Sequence, residues 1–283
     1  KLGTYPAGVG PYGIALDSVT NSLWVTNLGS SNVTKLNAAT GATVGTYSVS
    51  AHNPPFGIAF DPSTNSIWVP NRDSQIITKL NVITGATESI AYPVSIGAQP
   101  TGIAFDPSTN SFWITNVSSH SVTKLSAGTP ITWLGTYPVG TNPFGIAFDP
   151  STNSIWVVNS NSNNVTKLNA ATGATLGTYA VGSYPQNAAF DSSTDSIWVT
   201  NSNSNNVTNL SAATGAVLGT YPVGSNPTGI TFDSSTNSIW VANPTGYSNV
   251  TKLSPSSSAS PSDKPTASLT TNGHLSSVNV DPL

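Results

Sequence analysis

The chain contains no cysteine and no methionine among its 283 residues, which excludes disulfides, thiol nucleophiles and sulfur ligands to a metal. Charge is nearly as scarce: 7% of residues are charged, against about 25% in an average soluble chain. The net charge is −3, and the lysines lie about one per repeat, at Lys35, Lys79, Lys124, Lys167 and Lys252. That spacing builds no basic stripe, so nucleic acid is not an expected partner. Glu88 is the sole glutamate. No apolar run approaches the roughly 18 residues that span a bilayer, so no membrane span is expected. Solubility must therefore come from asparagine, serine and threonine. A sulfur-free chain with a neutral polar surface suits an extracellular or cell-surface setting better than the cytosol. The chain begins at Lys1, not Met, and is read as a processed or trimmed form from which any signal peptide is expected to have gone.

What is present is one unit, repeated. The motif GIAFD recurs as GIALD (13–17), GIAFD (57–61), GIAFD (102–106), GIAFD (145–149), NAAFD (187–191) and GITFD (229–233). The closing aspartates are Asp17, Asp61, Asp106, Asp149, Asp191 and Asp233. Their period of roughly 42–45 residues lies in the range of propellers and solenoids.

Residues 142–182 show the unit most clearly. Gly145-Ile146-Ala147-Phe148 alternates small and large, as a strand with two unlike faces does. Asp149–Asn153 is a turn, with Pro150 presetting φ and Asp149 able to bond nearby backbone. Ser154–Val158 is apolar on both faces and needs cover on both. After a polar Asn/Ser loop, Asn164–Leu168 alternates as a half-buried outer strand should, and Ala171-Thr172-Gly173 gives a hairpin turn with positive φ at the glycine. Thr175–Tyr179 is a fourth strand. Four antiparallel strands per repeat make a propeller blade.

The expected fold is thus all-β: a six-bladed β-propeller of four-stranded antiparallel blades. Residues 3–9, GTYPAGV, match a fourth-strand segment, whereas the last unit stops at SNVTKL before any fourth strand. The N-terminal strand is therefore expected to complete the last blade and remove two open sheet edges. The propeller is assigned to residues 1–253. Residues 254–283 form a Ser/Pro-rich linker and tail, with Asn272-Gly273 as a hairpin signal.

The segments IWVTN and IWVVN, the latter preceded by GIAFDP and followed by VTKLNAATGATLGTYAVG, resemble the YVTN repeat of β-propellers, with Trp where that family often has Tyr. The resemblance covers about residues 3–253 and extends to NHL-like and virginiamycin B lyase-like propellers. It implies surface-layer-type or other secreted proteins, and so an extracellular place. The lyase-like branch would imply His and Glu side chains around a divalent metal on the central face. By its place in the repeat Glu88 falls in a fourth strand away from that face, and no lyase motif can be transferred residue by residue.

In a propeller the loop leading into each first strand shares a face with the loop between second and third strands. On that face the candidate ligand-binding residues are Tyr12, His52, Phe56, Arg72, Asp73, His120, Phe144, Gln186 and Tyr247. Aromatic platforms beside polar and charged groups suit a glycan or a peptide; the competing account is that these aromatics only plug the channel mouth. The six repeat aspartates read as turn caps and the tryptophans as blade-to-blade packing, with Trp133 the exception. No catalytic set and no metal site can be assembled. Asn-X-Ser/Thr sequons at Asn32, Asn116, Asn164, Asn206 and Asn249 are candidate glycosylation sites, against a simpler account in which the strand start prefers Asn-Val-Thr.

The favoured reading is a non-catalytic extracellular propeller acting in structure, assembly or adhesion, as a surface-layer or filament subunit. It would self-associate or bind another surface protein, with the tail touching a neighbour, and it would need no cofactor. The alternatives are a glycan- or peptide-binding module, or a metal-dependent lyase or lactonase holding a divalent cation among Asp73, His52 and His120.

Overall fold

The period-two runs become strands in every repeat. The computed structural model describes residues 5–49, 54–74, 76–90, 97–128, 130–234, 236–244, 249–255, 268–271 and 274–276. The fold is a six-bladed β-propeller, and the chain divides into two compact units, residues 1–143 and 144–283. Among the described residues no helix is long and apolar enough to cross a membrane.

The first unit carries three blades. Blade 1 consists of β1 (Pro11–Asp17), β2 (Ser22–Asn27), β3 (Asn32–Asn37) and β4 (Thr43–Ser48). Blade 2 consists of β5 (Ala59–Asp61), β6 (Ser66–Asn71), β7 (Ile76–Asn81) and β8 (Thr87–Ile90). Blade 3 consists of β9 (Pro100–Asp106), β10 (Ser111–Asn116), β11 (Ser121–Ser126) and β12 (Trp133–Pro138). Each sheet runs in chain order with antiparallel neighbours, as short hairpin connections require.

In the second unit, blade 4 is β13 (Pro143–Asp149), β14 (Ser154–Asn159), β15 (Asn164–Asn169) and β16 (Thr175–Ala180). Blade 5 is β17 (Pro185–Asp191), β18 (Ser196–Asn201), β19 (Asn206–Ser211) and β20 (Val217–Pro222). Blade 6 has five strands: β21 (Ile230–Asp233), β22 (Ser238–Asn243), β23 (Asn249–Leu253), β24 (Ser268–Thr271) and β25 (His274–Ser276).

Blade 6 corrects one expectation. The fourth place in its sheet is filled by β24 from the tail, and the described residues 5–9 of the N-terminal segment form no strand. The outer edge of β23 needs partners for its backbone groups, and the alternating Ser-Leu-Thr-Thr segment supplies them, with Thr251 opposite Leu269. β24 then pairs with β25, Thr271 opposite His274, on either side of Asn272-Gly273. Tyr5 retains a contact typical of a fourth-strand tyrosine: a Cβ built on Gly41 would lie 2.2 Å from its ring.

The tryptophans form the core between blades. Trp24 packs with Val33, Ile58, Ile67 and Leu80, and Trp156 with Val158, Ala188, Ile197 and Leu210. Trp133 is the expected exception and is 50% exposed. Across the ladder from each strand-two tryptophan stands a lysine in blades 1 to 4 and 6, as in the Trp156–Lys167 pair. The lysine ammonium sits 5.0–5.4 Å from the tryptophan ring centre, within cation–π range.

That pairing makes the third strands more buried than their sequence alternation suggests. Lys35 Nζ donates to Val82 O at 2.6 Å and Lys167 Nζ to Ala212 O at 2.6 Å, each on the next blade. The stems lie under cover while the charge finds a carbonyl and a ring. Burial pushes the ammonium groups of Lys35, Lys124 and Lys167 below their ordinary pKa, and Asp17, Asp106 and Asp149 respectively counter part of that shift. The half-exposed strands are instead the fourth ones, such as β16.

The repeat aspartates are turn caps. Asp149 is fully buried and accepts from Ser151 N at 2.9 Å, Ser151 Oγ at 2.7 Å and Thr152 Oγ1 at 2.5 Å. Burial alone would raise its pKa, but these bonds, with Trp156 Nε1 at 3.4 Å, hold it below the ordinary carboxylate value.

Adjacent blades also overlap at their rims. The third-to-fourth-strand turn needs positive φ at its glycine, +70° at Gly85 and +73° at Gly215. The fourth-strand tyrosine of the preceding blade lies on that glycine: a Cβ built on Gly85 or Gly215 would stand 2.1 Å from the ring of Tyr47 or Tyr179.

Candidate functional site

Every second strand ends in a buried asparagine, and this residue organises the loop face. Asn27, Asn71, Asn116, Asn159, Asn201 and Asn243 are at most 1% exposed. Their amide nitrogens donate to the threonine two residues into the third strand, at 2.9–3.0 Å, as in Asn159 to Thr166. In blades 1, 4 and 5 the same nitrogen reaches Asn32, Asn164 or Asn206 Oδ1 at 2.8 Å. The loop between second and third strands is thus clamped from below.

This clamp accounts for the Asn-Val-Thr repeats, because Asn and Thr are the two acceptors that the buried amide needs. Where the first acceptor is missing the clamp adapts: Asn71 uses Ile76 O at 3.1 Å and Asn116 uses Ser121 Oγ at 3.3 Å. Asn32, Asn164 and Asn206 are half-buried, and it is their oxygens that the clamp engages. Asn116 corrects the sequence reading. It is fully buried with its nitrogen committed to Ser121 and Thr123, so no sugar can be attached in the folded chain. The Asn249 side chain lies outside the described residues.

The residue after the clamp asparagine closes the loop onto the next blade. In blades 4 and 5 it is a buried serine: Ser160 Oγ donates to Pro185 O at 2.6 Å and Ser202 Oγ to Pro227 O at 2.6 Å. In blade 2 it is Arg72, the only arginine of the chain. Its guanidinium lies 5.1 Å from the centre of the Phe56 ring. Tyr12 meets that ring edge-on, with centroids 5.2 Å apart and planes at 70°. Arg72 Nη2 donates to Gln99 Oε1 at 3.4 Å, and Ser118 Oγ donates to the same oxygen at 2.7 Å. Among the described residues Arg72 Nε is buried with no hydrogen-bond partner. Among the described residues no carboxylate pairs with the guanidinium; Asp73, next in sequence, is exposed.

The structure therefore brings together Tyr12, Phe56 and Arg72 of the expected set, with Asp73 beside them. Gln99 was not singled out by sequence reasoning. The available signal was a glutamine in the positive-φ place, at 60°, that Asn142 and Asn226 occupy in blades 4 and 6. His120 serves its own loop: Nδ1 lies 3.0 Å from Val117 O and 3.2 Å from Asn142 N. With a proton it donates to the former, and without one it accepts from the latter. Phe144 is half-buried and Gln186 is 8% exposed, both in the second unit. His52 and Tyr247 lie outside the described residues. Among the described residues no three His, Cys, Asp or Glu side chains cluster as metal ligands would.

No family model and no curated protein matches the chain. Solved structures do. A streptogramin B lyase structure is 22% identical, with a TM-score of 0.67 over 81% of this chain and 74% of its own. Hydrazine synthase from Kuenenia stuttgartiensis is 17% identical, with a TM-score of 0.75 over 89% of this chain and 78% of its own. A catalytically inactive variant of virginiamycin B lyase from Staphylococcus aureus, with quinupristin, is 18% identical, with a TM-score of 0.69 over 82% of this chain and 76% of its own. The likeness is one of fold. Neighbours with such different activities carry none of them over to this chain.

Proposed function

We propose that this propeller is a non-catalytic extracellular or cell-surface module that works by recognition, binding a glycan or peptide on the loop face of its first unit. The observation that carries this reading is Arg72 on Phe56 beside Tyr12, at a place where blades 4 and 5 need only a serine hydroxyl. A scaffold requirement does not explain a guanidinium there. A lyase or lactonase reading finds no His-and-acid cluster to support it among the described residues. The sulfur-free, weakly charged composition supports the extracellular setting.

Binding to a glycan and peptide array, followed by Tyr12→Ala, Phe56→Ala and Arg72→Ala variants, tests this reading. Loss of the same ligands in all three variants, with the fold intact, is the expected result. Ligands that bind all three variants as well as the parent chain would refute it.

Self-assembly is a second reading, favoured by β25, which ends the five-stranded sheet of blade 6. An edge strand is a template for another chain. Removing residues 272–283, which takes β25 and leaves β24 in blade 6, should then abolish assembly while the propeller stays folded; assembly that survives the deletion would rule the β25 edge out.

A further inference from the structure

We infer that the ligand of the Arg72 site carries a carboxylate on a sugar ring, that is, a uronic acid unit; this rests on the recognition reading above. Three features of the site select that chemistry. First, no carboxylate among the described residues neutralises the guanidinium. Its one polar side-chain partner among the described residues is the neutral Gln99, at the long distance of 3.4 Å, and among the same residues its buried Nε–H meets no acceptor. A partly buried cation with donors in hand favours an anion, and the planar guanidinium fork fits a carboxylate with two parallel bonds.

Second, the plane of that fork is fixed before any ligand arrives. Phe56 lies under it at 5.1 Å, and Tyr12 props Phe56 edge-on at 5.2 Å. Preorganisation of this kind lowers the entropic cost of binding. Third, the surroundings suit hydroxyl groups. Ser118 and Gln99 form a neutral hydrogen-bonded pair at 2.7 Å beside the cation. A bare anion would use only the arginine; a neutral sugar would leave its charge unmet. Asp73 adds a like charge next door, which weakens an acidic ligand and limits its affinity.

The chain's single arginine makes the test direct, because the full-length protein gives one arginine Nε–Hε signal in a proton–nitrogen NMR spectrum. Glucuronate, glucose and acetate are titrated in turn, and the Arg72 signal is followed with the ring signals of Tyr12 and Phe56. Glucuronate is expected to move both sets with saturation, binding about tenfold or more tighter than glucose, as a charge-assisted hydrogen bond implies. Acetate should bind more weakly than glucuronate. Arg72→Gln should remove the preference for glucuronate over glucose, and Asp73→Asn should tighten glucuronate a few-fold.

Equal binding of glucose and glucuronate, unchanged in Arg72→Gln, would overturn the uronate inference and leave recognition standing. Acetate binding as tightly as glucuronate would overturn the sugar and leave an anion site. A peptide acid binding where its amide does not, with glucuronate inert, would replace the sugar by a peptide terminus. If these probes, and every glycan and peptide on the array, left the Arg72 and ring signals unmoved, the recognition reading would fall as well.

Discussion

Gly215→Ala tests how neighbouring blades hold each other. Gly215 has φ of +73°, and a Cβ there would lie 2.1 Å from Cε1 of Tyr179, on the blade before. A left-handed backbone costs a non-glycine residue about 1–2 kcal/mol. The ring must also move, and it packs on Trp156 with centroids 5.5 Å apart. Losing that aromatic contact costs about 0.5–1.5 kcal/mol. The expected destabilisation is therefore about 1.5–3.5 kcal/mol, the two contributions together. Tyr179→Ala alone should cost about 2 kcal/mol, less than a fully buried aromatic because the ring is only half-buried. In the Tyr179→Ala background only the backbone part of the glycine effect remains, so the two changes should couple by about 1 kcal/mol. Urea unfolding followed by tryptophan fluorescence measures all three variants. Strict additivity of the two substitutions would refute the contact, and a cost below about 0.5 kcal/mol for Gly215→Ala would refute the strain as well.

Three further outcomes are expected. The Asp149 carboxyl is held below its ordinary pKa, so its stabilisation is complete above the unfolded value of 3.8 and lost as pH falls through the folded one; Asp149→Asn should flatten that part of a stability–pH curve. Lys167 is held below its unfolded value of 10.5, so the unfolded chain binds the extra proton between the two values and stability rises with pH there; Lys167→Met should remove that rise in urea midpoints measured from about pH 8 to 11. When the chain is secreted through a compartment that glycosylates asparagine, glycopeptide mapping of the folded fraction should find sugar at Asn32, Asn164 and Asn206 and none at Asn116, and sugar on folded Asn116 would contradict its burial.

Much of the fold was legible because one unit is written six times. The four strands, the capping aspartates and the positive-φ turn glycines each follow from residue type and period, and each stands where the repeat places it. Two features were not legible for physical reasons. The burial of the third strands depends on lysines that cross to the next blade's carbonyl, a long-range contact that strand alternation does not encode. The partner of β23 was chosen between two segments of suitable pattern, and only tertiary structure ranks them. At the site, Arg72 stood out against its repeat-mates, but the Phe56–Tyr12 support and the Arg72–Gln99 bond arise from blades brought side by side. Asn-Val-Thr shows the converse, a motif with a chemical meaning in sequence that the buried amides explain by themselves.

The asparagine clamp has a consequence for how such a protein can change. Because Asn71 still grips Thr78 at 2.9 Å, the Arg72-Asp73 pair sits in its loop without disturbing the ladder beneath. The same holding point lies under the corresponding loop of the other blades. The scaffold thus behaves as a rack of interchangeable fittings, in which one blade can acquire a new loop while the others keep the old. Specificity in such a molecule can diversify one loop at a time, through substitutions nearly silent in folding, and the differences among repeats within one chain become a record of where selection has acted.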